Sequence, residues 1–167
     1  MLGRLIAVLM GLAGAAAGSQ GPGYTLQYMQ NLTGRIDELR PIVEQYDADF
    51  DRYGYTRAAA LEECATADGL LDALCDGAER VIRRFEALSA HYAELNAANS
   101  YARPLALARS FKRDIAESVM EEFQPAMPVT LEGAAYAGGG FALLWGGLSF
   151  IFGLVGAMFG MGGRRYA

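Results

Sequence analysis

Apolar residues form three kinds of pattern along this chain, and each predicts a different kind of helix. Near the start, Leu5 to Gly18 is a run of 14 mostly apolar residues behind Arg4. Towards the end, Gly133 to Met161 holds 29 residues without a charge. A helix needs roughly 20 apolar residues to cross a bilayer core, so the second run can span one with some tilt. A soluble helix of that length keeps a polar face, which this segment lacks. Between the two runs the pattern becomes amphipathic. Met29, Leu32, Ile36, Leu39, Val43, Tyr46, Phe50 and Tyr53 alternate steps of three and four, which is a heptad seam. Leu71, Leu74, Ala78, Val81, Phe85, Leu88, Tyr92 and Leu95 repeat it, and a shorter stripe follows at Leu107, Phe111, Ile115, Val119 and Phe123.

Turn and cap residues divide this middle region into helices over about 24–53, 57–65, 69–97 and 104–123. Pro22-Gly23 breaks the chain before the first of them, and Gly54 ends it. Thr56 caps the short second helix, Thr66 or Asp68 caps the third, and Pro104 suits the first turn of the fourth. Pro41 kinks the first helix without erasing its stripe, and Pro125 and Pro128 end the last. No strand signal appears. The expected fold is all-α: a two-span transmembrane hairpin, residues 1–20 and 131–162, carrying an antiparallel coiled-coil or helical-bundle domain over 21–130, with a tail at 163–167.

The first run is short, and Ala15-Ala16-Ala17 offers a small-residue cleavage site, so a signal peptide is the alternative to a retained span. With Met1, Leu2, Ser19 and Gln20 included and Arg4 reaching the interface, the helix attains spanning length. Retention is favoured by Ala7, Gly11, Gly14 and Gly18, a small-residue face suited to close helix contact. The second run has a longer stripe: Ala135, Gly139, Ala142, Gly146, Ser149, Gly153, Gly156 and Gly160. Such residues let backbones approach and gain dispersion contacts, the main attraction left inside lipid. The expectation is that this stripe packs on the first helix of the same chain. The sharper reading is that it also mates with another protein.

Charge adds orientation. Residues 20–130 carry 11 basic and 18 acidic side chains, whereas Arg4, Arg164 and Arg165 lie at the two ends. Lys and Arg beside membrane segments stay in the cytoplasm, so both termini are expected inside and the acidic middle outside. Acidity also argues against nucleic acid and against adhesion to anionic lipid. The basic triplets Arg80, Arg83, Arg84 and Arg109, Lys112, Arg113 are interleaved with acids and read as solvated helix faces.

Candidate chemistry is sparse. Cys64 and Cys75 flank a helix–helix turn, where they either form a disulfide, stabilising by about 2–3 kcal/mol, or pack as two buried thiols. Two cysteines and one distant His91 supply no metal set, and His91 without a nucleophile or orienting partner reads as solvent-facing or locally bonded. Asp47-Ala48-Asp49-Phe50-Asp51 starts like a calcium loop but has Arg52 where glycine is needed and Ala58 where the bidentate Glu belongs. Tyr24, Tyr28, Tyr136 and Trp145 include aromatics expected at membrane interfaces. No catalytic residue and no cofactor is assigned.

The stretch from Phe123 to Gly133, Phe-Gln-Pro-Ala-Met-Pro-Val-Thr-Leu-Glu-Gly, together with Gln27-Tyr28 and Arg35-Ile36-Asp37-Glu38-Leu39, resembles an uncharacterised family of small bacterial inner-membrane proteins. The resemblance implies a Gram-negative inner membrane and a periplasmic helical domain, and supplies no activity. The expected function is that of a structural or accessory membrane protein acting through helix–helix association. Its partners are membrane lipid and either a second copy or another membrane protein. The alternative is a periplasmic sensor. A transporter or enzyme would need charged or broken helices, or a catalytic constellation, that the sequence does not display.

Overall fold

The computed structural model describes residues 2–125 and 129–158. Met1, Pro128, Gly160, Arg164, Arg165 and the 163–167 tail lie outside the described residues. Among the described residues seven helices follow in order: α1 (Leu2–Ser19), α2 (Gly21–Arg52), α3 (Arg57–Cys64), α4 (Leu70–Ala97), α5 (Arg103–Ser110), α6 (Arg113–Glu122) and α7 (Leu131–Met158). No strand occurs among the described residues, so the chain is all-α.

Among the described residues two stretches are long and apolar enough to cross a membrane: the N-terminal one that begins with α1, and α7. They lie side by side and run antiparallel. Gly3 faces Phe152, Gly11 faces Phe141 and Trp145, and Gly18 faces Tyr136.

The join between α1 and α2 differs from the expected break at Pro22-Gly23. Only Gln20 stands between the helices, and its torsions, φ −80° and ψ −15°, are themselves helical. Its carbonyl accepts the Tyr24 N–H at 2.8 Å. Pro22 falls in the first turn of α2, where a missing N–H costs no helical bond. The rod therefore runs almost without interruption from Leu2 to Arg52, 51 residues in all, and passes through Pro41.

α2 and α4 pack antiparallel. Tyr28 near the start of α2 meets His91 near the end of α4, and farther along the Arg40 guanidinium lies 5.8 Å over the Phe85 ring. Met29, Leu32, Ile36, Leu88 and Leu95 form the centre of the core, closed by Leu107 of α5 and by Ile115 and Val119 of α6. Each fully buried aliphatic side chain of this kind contributes about 1.5–3 kcal/mol. The two seams do not pack along their full length. Tyr53, Leu71 and Leu74 are exposed, while Ile82 and His91, off the expected seam, are buried.

Two further expectations need correcting. The predicted helix over 104–123 is two helices, because Phe111 (ψ 143°) and Lys112 (ψ 122°) are extended. The Lys112 N–H exposed by that break donates to the Tyr28 hydroxyl at 2.8 Å. Arg35 of α2 then fixes α6 through Asp114 and Ser118, each at 2.9 Å. The N-cap of α4 is Gly69 at φ +65°, not Thr66 or Asp68. Thr66 instead donates its hydroxyl to the Glu63 carbonyl at the end of α3. Thr56 caps α3 by accepting the Ala59 N–H at 3.3 Å. Cys64 and Cys75 form a disulfide with Cα atoms 5.5 Å apart, tying the end of α3 to the early turns of α4.

Candidate functional site

The α1–α7 pair is built on glycines. Ala7, Gly11 and Gly14 are buried and Gly18 is half-buried, and the three glycines lie against α7. The closest approach is at Gly14 and Gly140. A Cβ on either residue would strike the other's carbonyl oxygen, and a Cβ on Gly18 would strike the Tyr136 carbonyl oxygen. At Gly11 it would lie 2.8 Å from the Phe141 ring and 2.9 Å from the Trp145 Cβ. Backbones this close gain dispersion contacts that any side chain would push apart.

The α7 face used here is not the one expected. Against α1 it presents Tyr136, Gly140, Phe141, Leu144, Trp145 and Phe152. The stripe of Ala135, Gly139, Ala142, Gly146, Ser149, Gly153 and Gly156 lies roughly half a turn away, given about 100° per residue. Ala135, Gly139, Ala142, Ser149 and Gly153 are exposed. A Cβ added at Gly139, Gly146, Gly153 or Gly156 would meet nothing within 4 Å. The expectation that this stripe packs on the first helix is thus overturned: α1 takes the opposite face, and the stripe stays open. Gly160 lies outside the described residues.

A second cluster sits in the domain core: His91 is not solvent-facing, and of the two expected alternatives it keeps the local partner, with Nδ1 3.9 Å from Glu94. His91 is only 5% exposed and Tyr28 is fully buried. The Tyr28 hydroxyl stands 3.1 Å from His91 Nε2 and also accepts the Lys112 N–H. With the ring proton on Nδ1, which lies 3.9 Å from the Glu94 carboxylate, Nε2 is left to accept the Tyr28 proton. Burial pushes the His91 pKa below its ordinary value, the Lys112 charge adds to that, and Glu94 opposes it. Desolvation likewise raises the Tyr28 hydroxyl. The buried pair positions the α5–α6 corner through the Lys112 N–H.

At the other end of α2, Arg57 pairs with Asp47 at 2.5 Å and with Glu86 at 2.8 Å, joining α2, α3 and α4. The Arg57 contact holds the Asp47 carboxyl below its usual range. Among the described residues, no group of three or more His, Cys, Asp or Glu side chains is placed to hold a metal ion.

No curated protein and no solved structure matches the chain. A family model described as "Protein of unknown function (DUF2937)" matches residues 2–161. That match takes in both apolar helices and the whole domain between them, and the chain therefore belongs to the DUF2937 family.

Proposed function

We propose that this protein is a structural or accessory subunit of the bacterial inner membrane that works by helix–helix association, either with a second copy or within a larger complex. In this reading α1 and α7 span the bilayer, both termini are cytoplasmic, and residues 21–130 form a periplasmic antiparallel coiled-coil bundle. No catalytic role is assigned.

The observation that carries the proposal is the small-residue stripe of α7, left open because α1 occupies the opposite face. Facing lipid alone, a helix gains nothing from glycine, which is a poor helix former and offers little surface for contact. Facing another helix, the same residues permit close backbone approach. The end-placed arginines Arg4, Arg164 and Arg165 support the orientation.

The test is particle size in mild detergent, together with crosslinking in native membranes. The wild-type chain is expected to run as a homo-oligomer or with a fixed membrane partner. Gly146→Leu with Gly153→Leu should disperse that assembly while leaving the α1–α7 pair intact. A wild-type particle that is monomeric and partnerless, or an assembly indifferent to both substitutions, overturns the proposal.

A further inference from the structure

The end of the domain farthest from α1 and α7 is at once apolar and strongly acidic. Tyr53, Leu71 and Leu74 are 78, 60 and 62% exposed there. Phe50, Tyr53, Tyr55, Ala60, Ala67 and Leu71 line a groove of about 340 Å³, with the Cys64–Cys75 disulfide in its wall and Asp49 and Glu63 on its rim. Large apolar side chains clustered on a surface and rimmed by charge mark an interaction site.

Charge at this end is lopsided. Residues 44–79 hold ten acidic and two basic side chains, whereas the rest of 20–130 holds eight acidic and nine basic. The negative excess of the domain therefore resides at its tip. Arg52 is engaged by Asp49 at 3.2 Å and Arg57 by Asp47 and Glu86, while Arg80 and Arg83, one turn beyond, pair with Asp76 and Glu79; Glu44, Asp51, Glu62, Glu63, Asp68 and Asp72 make none of these pairs.

We propose that this groove docks a cationic segment of a partner protein that inserts an aromatic or leucine-sized anchor between Tyr53 and Leu71. A second copy is a poor occupant, since it would bring an equally acidic tip to face this one. Anionic lipid and nucleic acid are repelled by the same field, and α2, at about 1.5 Å per residue, holds the tip some 48 Å from the end of α1. A basic segment satisfies both parts: the rim steers it, and the apolar floor supplies the anchor pocket in which binding energy concentrates.

This deepens the accessory-subunit reading by naming a partner class for the domain, and it uses residues remote from the α7 stripe. The probe is a short labelled peptide amide with one tryptophan flanked by lysines. Fluorescence anisotropy is read with the full chain in neutral detergent, against a micelle blank. Comparison peptides replace the tryptophan by serine or the lysines by glutamates. The lysine–tryptophan peptide is expected to saturate one site and to weaken several-fold between about 50 and about 300 mM salt. Tyr53→Ser with Leu71→Ser, both exposed and so harmless to the fold, should weaken it about tenfold, the loss of one anchor. Particle size should not change in that variant. Gly146→Leu with Gly153→Leu should do the reverse, so failure of one proposal is distinguishable from failure of the other. No binding above the blank, equal binding of the serine or glutamate peptide, or full binding by the Tyr53→Ser, Leu71→Ser variant overturns the docking proposal.

Discussion

With its ring proton on Nδ1, towards Glu94, His91 accepts the Tyr28 proton at Nε2, and the Tyr28 hydroxyl accepts the Lys112 N–H. Protonating His91 would remove that acceptor and place a charge in the core beside Lys112. The sign of the pH dependence follows. The unfolded chain takes up a proton near pH 6.5 and the folded chain resists until lower pH, so the unfolded state binds more protons in between. Stability is therefore full above about pH 7 and falls as pH drops through 6.5 towards the depressed folded value. Urea unfolding between about pH 5 and pH 8 should show this slope, and His91→Gln should flatten it. An equal slope in His91→Gln would assign the titration elsewhere; the Asp47 carboxyl, lowered by Arg57, acts below pH 4, in a different window. Part of this site was legible. Leu88, His91 and Leu95 are spaced by three and four, so His91 lies on a core stripe, but Tyr92 competes for the same seam and looks more apolar. The partner Tyr28 was not legible, since nothing in a sequence pairs side chains 63 positions apart.

At the scale of the element, the periodicity gave helix type and approximate extent well and facing poorly. Residues Gly138, Gly139 and Gly140 are consecutive, and each step of one residue turns the helix by about 100°. All three glycines look alike in a sequence, yet only Gly140 meets α1. A heptad stripe drawn through Gly139 therefore points away from the helix it was expected to touch. The split of α5 from α6 was hidden for a related reason. Phe111 fits the period of the stripe, and the force that breaks the helix there is the Tyr28 hydroxyl on another element. The register makes a sharp prediction. Gly140→Leu forces side-chain atoms into the Gly14 backbone and should destabilise the α1–α7 pair by about 1–3 kcal/mol, as overpacking does. Gly139→Leu meets open space and should leave the pair unchanged. Trp145, the single tryptophan, sits against Gly11, so its emission reports the contact. Equal shifts in both variants would mean that the register of α7 is wrong.

For the whole molecule, the consequential feature is how the apolar pair is joined to the domain. α1 passes into α2 through one helical residue, Gln20, and on the other side the Tyr136 hydroxyl of α7 donates to the Tyr101 carbonyl at 2.6 Å. The helical join at Gln20, the Tyr136 bond and the packing of α2 against α7 hold the bundle at a fixed angle to α1 and α7. Pro22-Gly23 read as a break before a new helix because proline and glycine commonly interrupt helices, but at the first turn proline costs no backbone bond. A rigid joint matters for the proposed role, since the acidic tip then has a defined position relative to the open face of α7. Spin labels at Arg84→Cys and Leu154→Cys, with the native disulfide left oxidised, would measure this directly. A single narrow distance is expected in the otherwise unaltered chain. Inserting Gly-Ser-Gly-Ser between Ser19 and Gln20 removes that helical continuity and leaves weaker contacts with α7, among them the Tyr136 bond at about 1 kcal/mol, so the distribution should broaden. Adding Tyr136→Phe to the insertion should broaden it further, because that bond is then lost as well. A broad distribution before any insertion would show that the domain swings freely, and the tip would have no fixed place above the membrane helices.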